Sequence, residues 1–128
     1  MKRILATSVI VFLAGCSNIR FDSMNYDRIL TLHATAKAMS VQCDHPDLIR
    51  QQLPELQIMA NHVALYSRLR SGGPEVASST AIIESMVNEL ESKYVNSAPS
   101  SGYCSEKLKS ISDATYTVAS ALGAQQWV

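Results

Sequence analysis

The chain has 128 residues and a formal net charge of +0, and 47% of its residues are hydrophobic and 17% charged. This length allows one small domain and excludes a two-domain dinucleotide-binding enzyme or an α/β barrel. Five glycines and four prolines are too few for a turn-rich β-sandwich. A chain without a basic excess is not expected to bind nucleic acid through phosphate contacts.

The first sixteen residues have the features of a targeting segment. Lys2 and Arg3 precede an almost unbroken apolar run over residues 4–15. A dozen residues are too few to span a bilayer as a helix, which takes about 20, but they match the apolar part of a signal peptide. The run ends in Leu-Ala-Gly directly before Cys16. This ending resembles the lipobox of bacterial lipoproteins.

The resemblance implies that residues 1–15 are a signal peptide, cleaved between Gly15 and Cys16. It implies a diacylglycerol on the Cys16 thiol and an acyl chain, of the palmitate kind, on the new amino group. By the sorting rules of enterobacterial lipoproteins, Ser17 in place of aspartate implies the outer membrane, with the domain facing the periplasm. The alternative interpretation is an ordinary signal peptide or a short membrane anchor in which Cys16 has no special role.

Cleavage changes the charge of the chain. Removal of Lys2 and Arg3 leaves 9 Lys+Arg against 11 Asp+Glu, a net charge of −2. The sequence therefore predicts no polybasic patch and no nucleic-acid partner, and it predicts a membrane contact made by covalent lipid. Residues 16–22 form a short tether, so the domain is expected to work close to the membrane surface.

The first predicted helix runs over about 23–43, with Ser23 or Asp22 as its N-cap. It stops before Pro46, because a residue that precedes proline disfavours the α region. The second is predicted from Pro46 to about 70, with an interruption at Pro54. Their apolar stripes are Ile29, Leu32, Ala36, Met39 and Cys43 in the first, and Leu56, Met59, Val63 and Tyr66 in the second, widened by Ile58, Leu65 and Leu69.

The third helix is predicted over about 75–94 and the fourth from Tyr103 or Cys104 to about 122–123, capped by Ser101 or Ser105. Short connections make neighbouring helices antiparallel. We therefore predict an all-α, four-helix up-down bundle over residues 23–124, followed by a tail over 125–128. The apolar stripes are Val76, Ile83, Met86, Leu90 and Tyr94 in the third helix, with Ile82 and Val87 alongside, and Cys104, Leu108, Ile111, Thr115, Val118 and Leu122 in the fourth.

Cys43 and Cys104 remain once Cys16 is assigned to the lipid. An even number of cysteines in an oxidising compartment favours a disulfide. The first helix ends at Cys43, far from the tether, and the fourth begins at that same end with Cys104. Helices one and four are neighbours in an up-down bundle, so we predict a Cys43–Cys104 disulfide. The alternatives are two buried thiols, or a metal site formed by both cysteines with His45.

No motif in the sequence is typical of an active site. His33, His45 and His62 lack the spacing of a zinc site, and there is no nucleophile elbow or phosphate-binding glycine loop. His33 and His62 are interpreted as boundary residues with a hydrogen-bond partner. We predict no catalytic residue, no metal and no cofactor apart from the acyl chains on Cys16.

Two functions fit such a protein. The first is a non-catalytic binding or accessory module that docks onto an envelope protein, a class that includes inhibitors and phage- or plasmid-encoded exclusion lipoproteins. The alternative is a weak resemblance to the outer-membrane spanin subunits of phage lysis systems, although many of these are shorter and richer in proline. The second and third helices carry apolar residues on more than one face, which fits either a wide core stripe or a surface that receives another protein. Further candidate partner contacts are the aromatic residues at or beyond helix ends: Phe21, Tyr26, Tyr103 and Trp127.

Overall fold

A computed structural model describes residues 20–70 and 73–125 of the chain. These residues form four α-helices: α1 over Ser23–Ser40, α2 over Pro46–Leu69, α3 over Pro74–Lys93 and α4 over Ser101–Ala124. The described ranges contain no strand. The predicted all-α class is therefore confirmed.

The helices pack as the predicted up-down bundle. Helix α1 lies most closely against α4 and α2 most closely against α3, and the α1–α2 and α3–α4 seams have less extensive contact. We call the end at which α1 begins the proximal end, and the opposite end the distal end. Helices α2 and α4 end at the proximal end, and α3 begins there.

The core follows the helical periodicity of the sequence, because residues three or four positions apart share one face of a helix. Burial of these apolar faces is the main force that holds the bundle together. The largest fully buried side chains are Ile29, Leu32, Met39, Ile49, Leu53, Leu56, Val63, Ile83, Leu90, Leu108, Ile111 and Leu122.

Helix α1 has the predicted start and an earlier end. The Asp22 carboxylate accepts hydrogen bonds from the backbone amides of Met24 and Asn25, as expected of an N-cap. The helix ends at Ser40, three residues before the predicted end, and the N–H of Val41 donates to the Met39 carbonyl in a tighter turn. Cys43 lies in this turn and is still buried.

The sequence predicted a kink or a restart of the helix at Pro54. Helix α2 continues through Pro54, so the restart is wrong. Proline at this position removes the hydrogen bond to the Arg50 carbonyl, one turn earlier. Both residues are exposed, so water can hydrate that carbonyl. Leu53 and Leu56 are buried on either side, and their packing keeps the helix continuous.

Helix α4 differs from the prediction at both ends. Its N-cap is Ser100 rather than Ser101 or Ser105, and the Ser100 hydroxyl accepts from the Tyr103 amide at 3.2 Å. At the other end the helix continues to Ala124, one residue past the predicted end at about 122–123, and Gly123 lies in its last turn. A Cβ atom at Gly123 would lie 3.2 Å from Cε2 of Tyr26. Glycine therefore allows close approach of α4 to α1.

The predicted signal peptide and lipidation site lie outside the described residues, as do Gly15, Cys16 and Trp127. The described helices occupy the range predicted for the bundle domain. None of them is both long and apolar enough to cross a membrane.

Candidate functional site

The two cysteines meet at the distal end. The Cα atoms of Cys43 and Cys104 lie 5.8 Å apart, and their sulfur atoms are at disulfide-bonding distance. Both residues are buried, and the bridge joins the turn after α1 to the first turn of α4. The predicted proximity of the two sulfurs is confirmed. His45 is exposed nearby, and within the described residues no three His, Cys, Asp or Glu side chains are arranged to hold a metal ion.

At the proximal end, α1 and α2 are joined by polar side chains. The fully buried Asn25 donates from Nδ2 to the Ser67 hydroxyl at 3.0 Å. The Tyr66 hydroxyl donates to the Asp22 carboxylate at 2.9 Å. Asp22 therefore caps α1 and holds the end of α2 at the same time. These contacts fix the position of α2 along its axis relative to α1.

Two tyrosines have raised pKa values. The hydrogen bond from Tyr66 to the Asp22 carboxylate is the main cause of the raised pKa of Tyr66. An ionised phenol would no longer have the proton that it donates, and its negative charge would face the carboxylate. Arg70 and Arg28 partly oppose this effect. Burial raises the pKa of Tyr94, with Arg50 opposing it. Both phenols therefore favour their neutral form.

A groove opens along the α1–α2 seam. Its proximal part has a volume of about 220 Å³ and is lined by residues of both helices: Arg28, Thr31, Ile58, Met59, His62 and Val63. Ile58 is 68% exposed on its rim. An apolar wall at an open seam is suited to receive an apolar side chain of another molecule.

Arg28 and His62 form the polar rim of this part of the groove. The Arg28 guanidinium donates to Nε2 of His62, so His62 accepts at that nitrogen, since arginine has no acceptor. The guanidinium carbon also lies 5.4 Å from the centre of the Tyr66 ring, within the range of a cation–π contact. These contacts hold Arg28 across the seam. Its remaining N–H groups are positioned to donate to a bound carbonyl or carboxylate.

The distal part of the same seam has a volume of about 340 Å³. Met59 lines both parts, so the two cavities are adjacent along the seam. The side-chain oxygens of Gln42 and Gln52 are buried and accept no hydrogen bond within the described residues. A buried acceptor without a donor is costly, and both amides line this part of the groove.

His33 lies in a second polar cluster, at the α1–α4 interface. Its Nδ1 is 2.7 Å from the Ser112 carbonyl oxygen, so this nitrogen carries a proton and donates it. The Ser112 hydroxyl lies 3.1 Å and the Thr115 hydroxyl 3.4 Å from the same nitrogen. With its Nδ1 proton held by a carbonyl, the ring is not arranged to activate Ser112 as a nucleophile. The cluster joins two helices.

The groove itself was not predicted from the sequence, although the apolar residues on more than one face of α2 and α3 left a partner surface open as the alternative to a wide core stripe. Ile58, Leu65 and Leu69 were assigned to a widened core stripe of α2, and Ile82 to that of α3. All four are exposed, so these assignments are wrong. The periodicity gives the direction of a helix face but not its width, which neighbouring helices determine. His33 and His62 do have hydrogen-bond partners, as predicted.

Comparisons of the chain with models of protein families, with curated proteins and with solved structures find no match to any of them.

Proposed function

We propose that this protein is a lipid-anchored, non-catalytic module of the bacterial cell envelope that binds another envelope protein through the α1–α2 groove. The anchor is the acylated Cys16, and the bundle faces the periplasm from the outer membrane. The lipobox-like ending before Cys16 supports the anchor. The observation that carries the binding function is the pair of adjacent cavities along the α1–α2 seam, between Arg28 and Gln42, with Met59 lining both.

The dimensions of the groove suit an amphipathic helix. Arg28 and Met39, which line the proximal and distal parts of the groove, are eleven residues apart on α1, which corresponds to about 16 Å of helix. Helix-in-groove recognition uses apolar side chains at helical spacing, placed in a hydrophobic channel. Ile58 and Met59 provide the apolar surface here. The partner segment is therefore expected to carry a row of apolar residues.

Small side chains favour the same occupant. Ala34 and Ala38 are one turn apart on α1 and line the distal part of the groove. Both are exposed, so the backbone of a partner helix can approach α1 closely. The exposed Glu55 lines the same part of the groove and offers a carboxylate to polar side chains of the partner. These groups bind and orient a partner, and none of these roles requires proton transfer.

A photo-crosslinking amino acid at position 58 tests the proposal in the native host. The matched control is position 82, because Ile82 of α3 is an isoleucine of similar exposure, 61% against 68% for Ile58. We expect a crosslink from position 58 into an amphipathic helix of one envelope protein and none from position 82. Equal crosslinks from both positions, or none from position 58, would contradict a partner in the groove.

The identity of the crosslinked protein then defines the process. A single-span inner-membrane coiled-coil protein encoded beside an endolysin would indicate the lysis role. A subunit of an envelope assembly or a receptor would indicate an accessory or exclusion role. Loss of the protein from the membrane fraction in Cys16→Ala is the separate test of the anchor.

A further inference from the structure

Arginines are unevenly distributed along the bundle. Beyond residue 16 the chain has five arginines and four lysines. Four of the arginines, Arg20, Arg28, Arg68 and Arg70, lie at the proximal end, next to the start of α1 or the end of α2. The four lysines lie in the distal half, on α1, α3 and α4.

This sorting gives the two parts of the domain opposite charge. The proximal end carries four cations and three anions, and the remainder of residues 16–128 carries five cations and eight anions. One proximal anion, Asp22, has its carboxylate engaged by backbone amides and by Tyr66. Within the described residues, the ion pairs Arg50–Asp47 and Lys107–Glu89 lie in the distal half. The proximal arginines Arg20, Arg68 and Arg70 are exposed.

The same end exposes apolar side chains. Met24, Leu65 and Leu69 are all exposed, and Leu65 lies one turn, or about 6 Å, further from the end of α2 than Leu69. Apolar side chains of interfacial proteins enter the boundary between headgroups and acyl chains to a depth of about 5–10 Å. Arginine suits such a position because its aliphatic stem packs on apolar groups while its charge reaches the headgroups.

The tether keeps this end near lipid. Arg20 is four residues from Cys16, a span of at most about 14 Å when fully extended. An acyl anchor at Cys16 therefore holds the proximal end at high local concentration beside the bilayer, where weak contacts become effective. Basic residues near the surface are attracted to anionic lipid.

We propose that the proximal end lies against the headgroups of an anionic phospholipid bilayer, with Met24, Leu65 and Leu69 entering the interface and Arg20, Arg68 and Arg70 contacting phosphates. This inference rests on the proposed anchor at Cys16. The bundle then stands upright on the membrane, with its acidic distal part away from the anionic surface. The α1–α2 groove opens sideways, parallel to the bilayer, where a neighbouring envelope protein has access to it.

An environment-sensitive fluorophore at Leu69→Cys tests this orientation in the mature, acylated protein reconstituted into vesicles. Val95→Cys at the distal end is the matched control, since Val95 is 74% exposed and Leu69 70%. With phosphatidylglycerol in phosphatidylcholine vesicles, we expect quenching of the position-69 label by lipid-borne quenchers and none at position 95. Equal quenching at both positions, or none at position 69, would overturn the proposal.

Charge variants distinguish docking of the proximal end on the bilayer from anchoring through Cys16. In Arg68→Gln/Arg70→Gln, we expect quenching at position 69 to fall at least twofold while the protein still sediments with the vesicles. The distal control Lys107→Gln/Lys109→Gln is expected to leave the quenching at position 69 unchanged. A protein that sediments but stays unquenched at position 69 overturns only the docking, whereas one that never sediments overturns the anchor and this inference with it. Protection of position 69 only when outer-membrane proteins are added would assign this end to a protein partner instead.

Discussion

At the distal end a disulfide joins Cys43 to Cys104, whereas at the proximal end α1 and α2 are joined by hydrogen bonds among Asp22, Asn25, Tyr66 and Ser67. A covalent bridge stabilises mainly by restricting the unfolded chain. Buried hydrogen bonds stabilise the folded state itself, and removal of one partner is costly because the other polar group stays buried without a hydrogen bond. The distal end should therefore be sensitive to reducing agents, and the proximal end to single side-chain changes and to pH.

The largest effect is expected from removal of the disulfide. The bridge closes a loop with a sequence separation of 61 residues, and loss of this restraint in Cys43→Ser/Cys104→Ser should lower the free energy of unfolding by about 4 kcal/mol. Chemical denaturation measures this. A reducing agent should destabilise the wild type by a similar amount and leave the double variant unchanged. A wild type that is insensitive to reduction would show that the two thiols are not bonded.

A smaller effect is expected for Ser67→Ala at the proximal end. The change removes the Ser67 hydroxyl that accepts from the buried Nδ2 of Asn25, and loss of this interhelical hydrogen bond should cost about 1–3 kcal/mol. Ser110→Ala is the control, because Ser110 is exposed and donates only to a carbonyl of its own helix. We expect the control to change stability by less than about 0.5 kcal/mol. Equal effects of the two substitutions in denaturation curves would mean that the interhelical bond contributes nothing.

The N-caps at the two ends provide a closer comparison. Asp22→Ala removes an acceptor of two backbone amides and of Tyr66, whereas Ser100→Ala removes an acceptor of one amide. Loss of an N-cap typically costs about 1 kcal/mol. Thermal unfolding should therefore show a larger drop in Tm for Asp22→Ala than for Ser100→Ala. The reverse order would show that the Asp22–Tyr66 contact is unimportant.

The smallest effect is the pH dependence at alkaline pH. The pKa of Tyr66 is raised in the folded protein, so its contribution to stability is complete below the ordinary tyrosine pKa of about 10 and is lost as the pH rises through the folded value. Stability should fall less steeply above pH 10 in Tyr66→Phe than in the wild type. Tyr94, whose pKa is also raised, is present in both proteins. Identical slopes would contradict the coupling of Tyr66 to Asp22.

The fold could be predicted to a large extent from the sequence, because a few residues carried consistent signals. Ile29, Leu32, Leu108 and Ile111 recur at helical spacing and are all fully buried. The positions of Cys43 and Cys104 relative to the predicted helix ends correctly indicated that they meet. Short connections then left few arrangements of four helices.

The candidate site could not be predicted in this way. Ile58 of α2 belongs to an apolar pattern that resembles a wide core stripe, and only the position of α1 decides that it lines a groove. The contact between Arg28 and His62 joins residues 34 positions apart, and no local pattern indicates it. The restart predicted at Pro54 was wrong because the effect of proline on a helix depends on whether water reaches the carbonyl that proline leaves unbonded.

If the protein is anchored at Cys16 as we propose, the disulfide has a mechanical consequence. Helices α2 and α3 lie between Cys43 and Cys104 in the chain, so they belong to a covalently closed ring from which α1 and α4 extend as two arms. A pulling force between the tether and α4 passes through α1, the bridge and α4, and does not pass along the backbone of the ring. Such a force can detach the arms, but it cannot draw out the α2–α3 hairpin, so the bridge limits how far the protein extends under load.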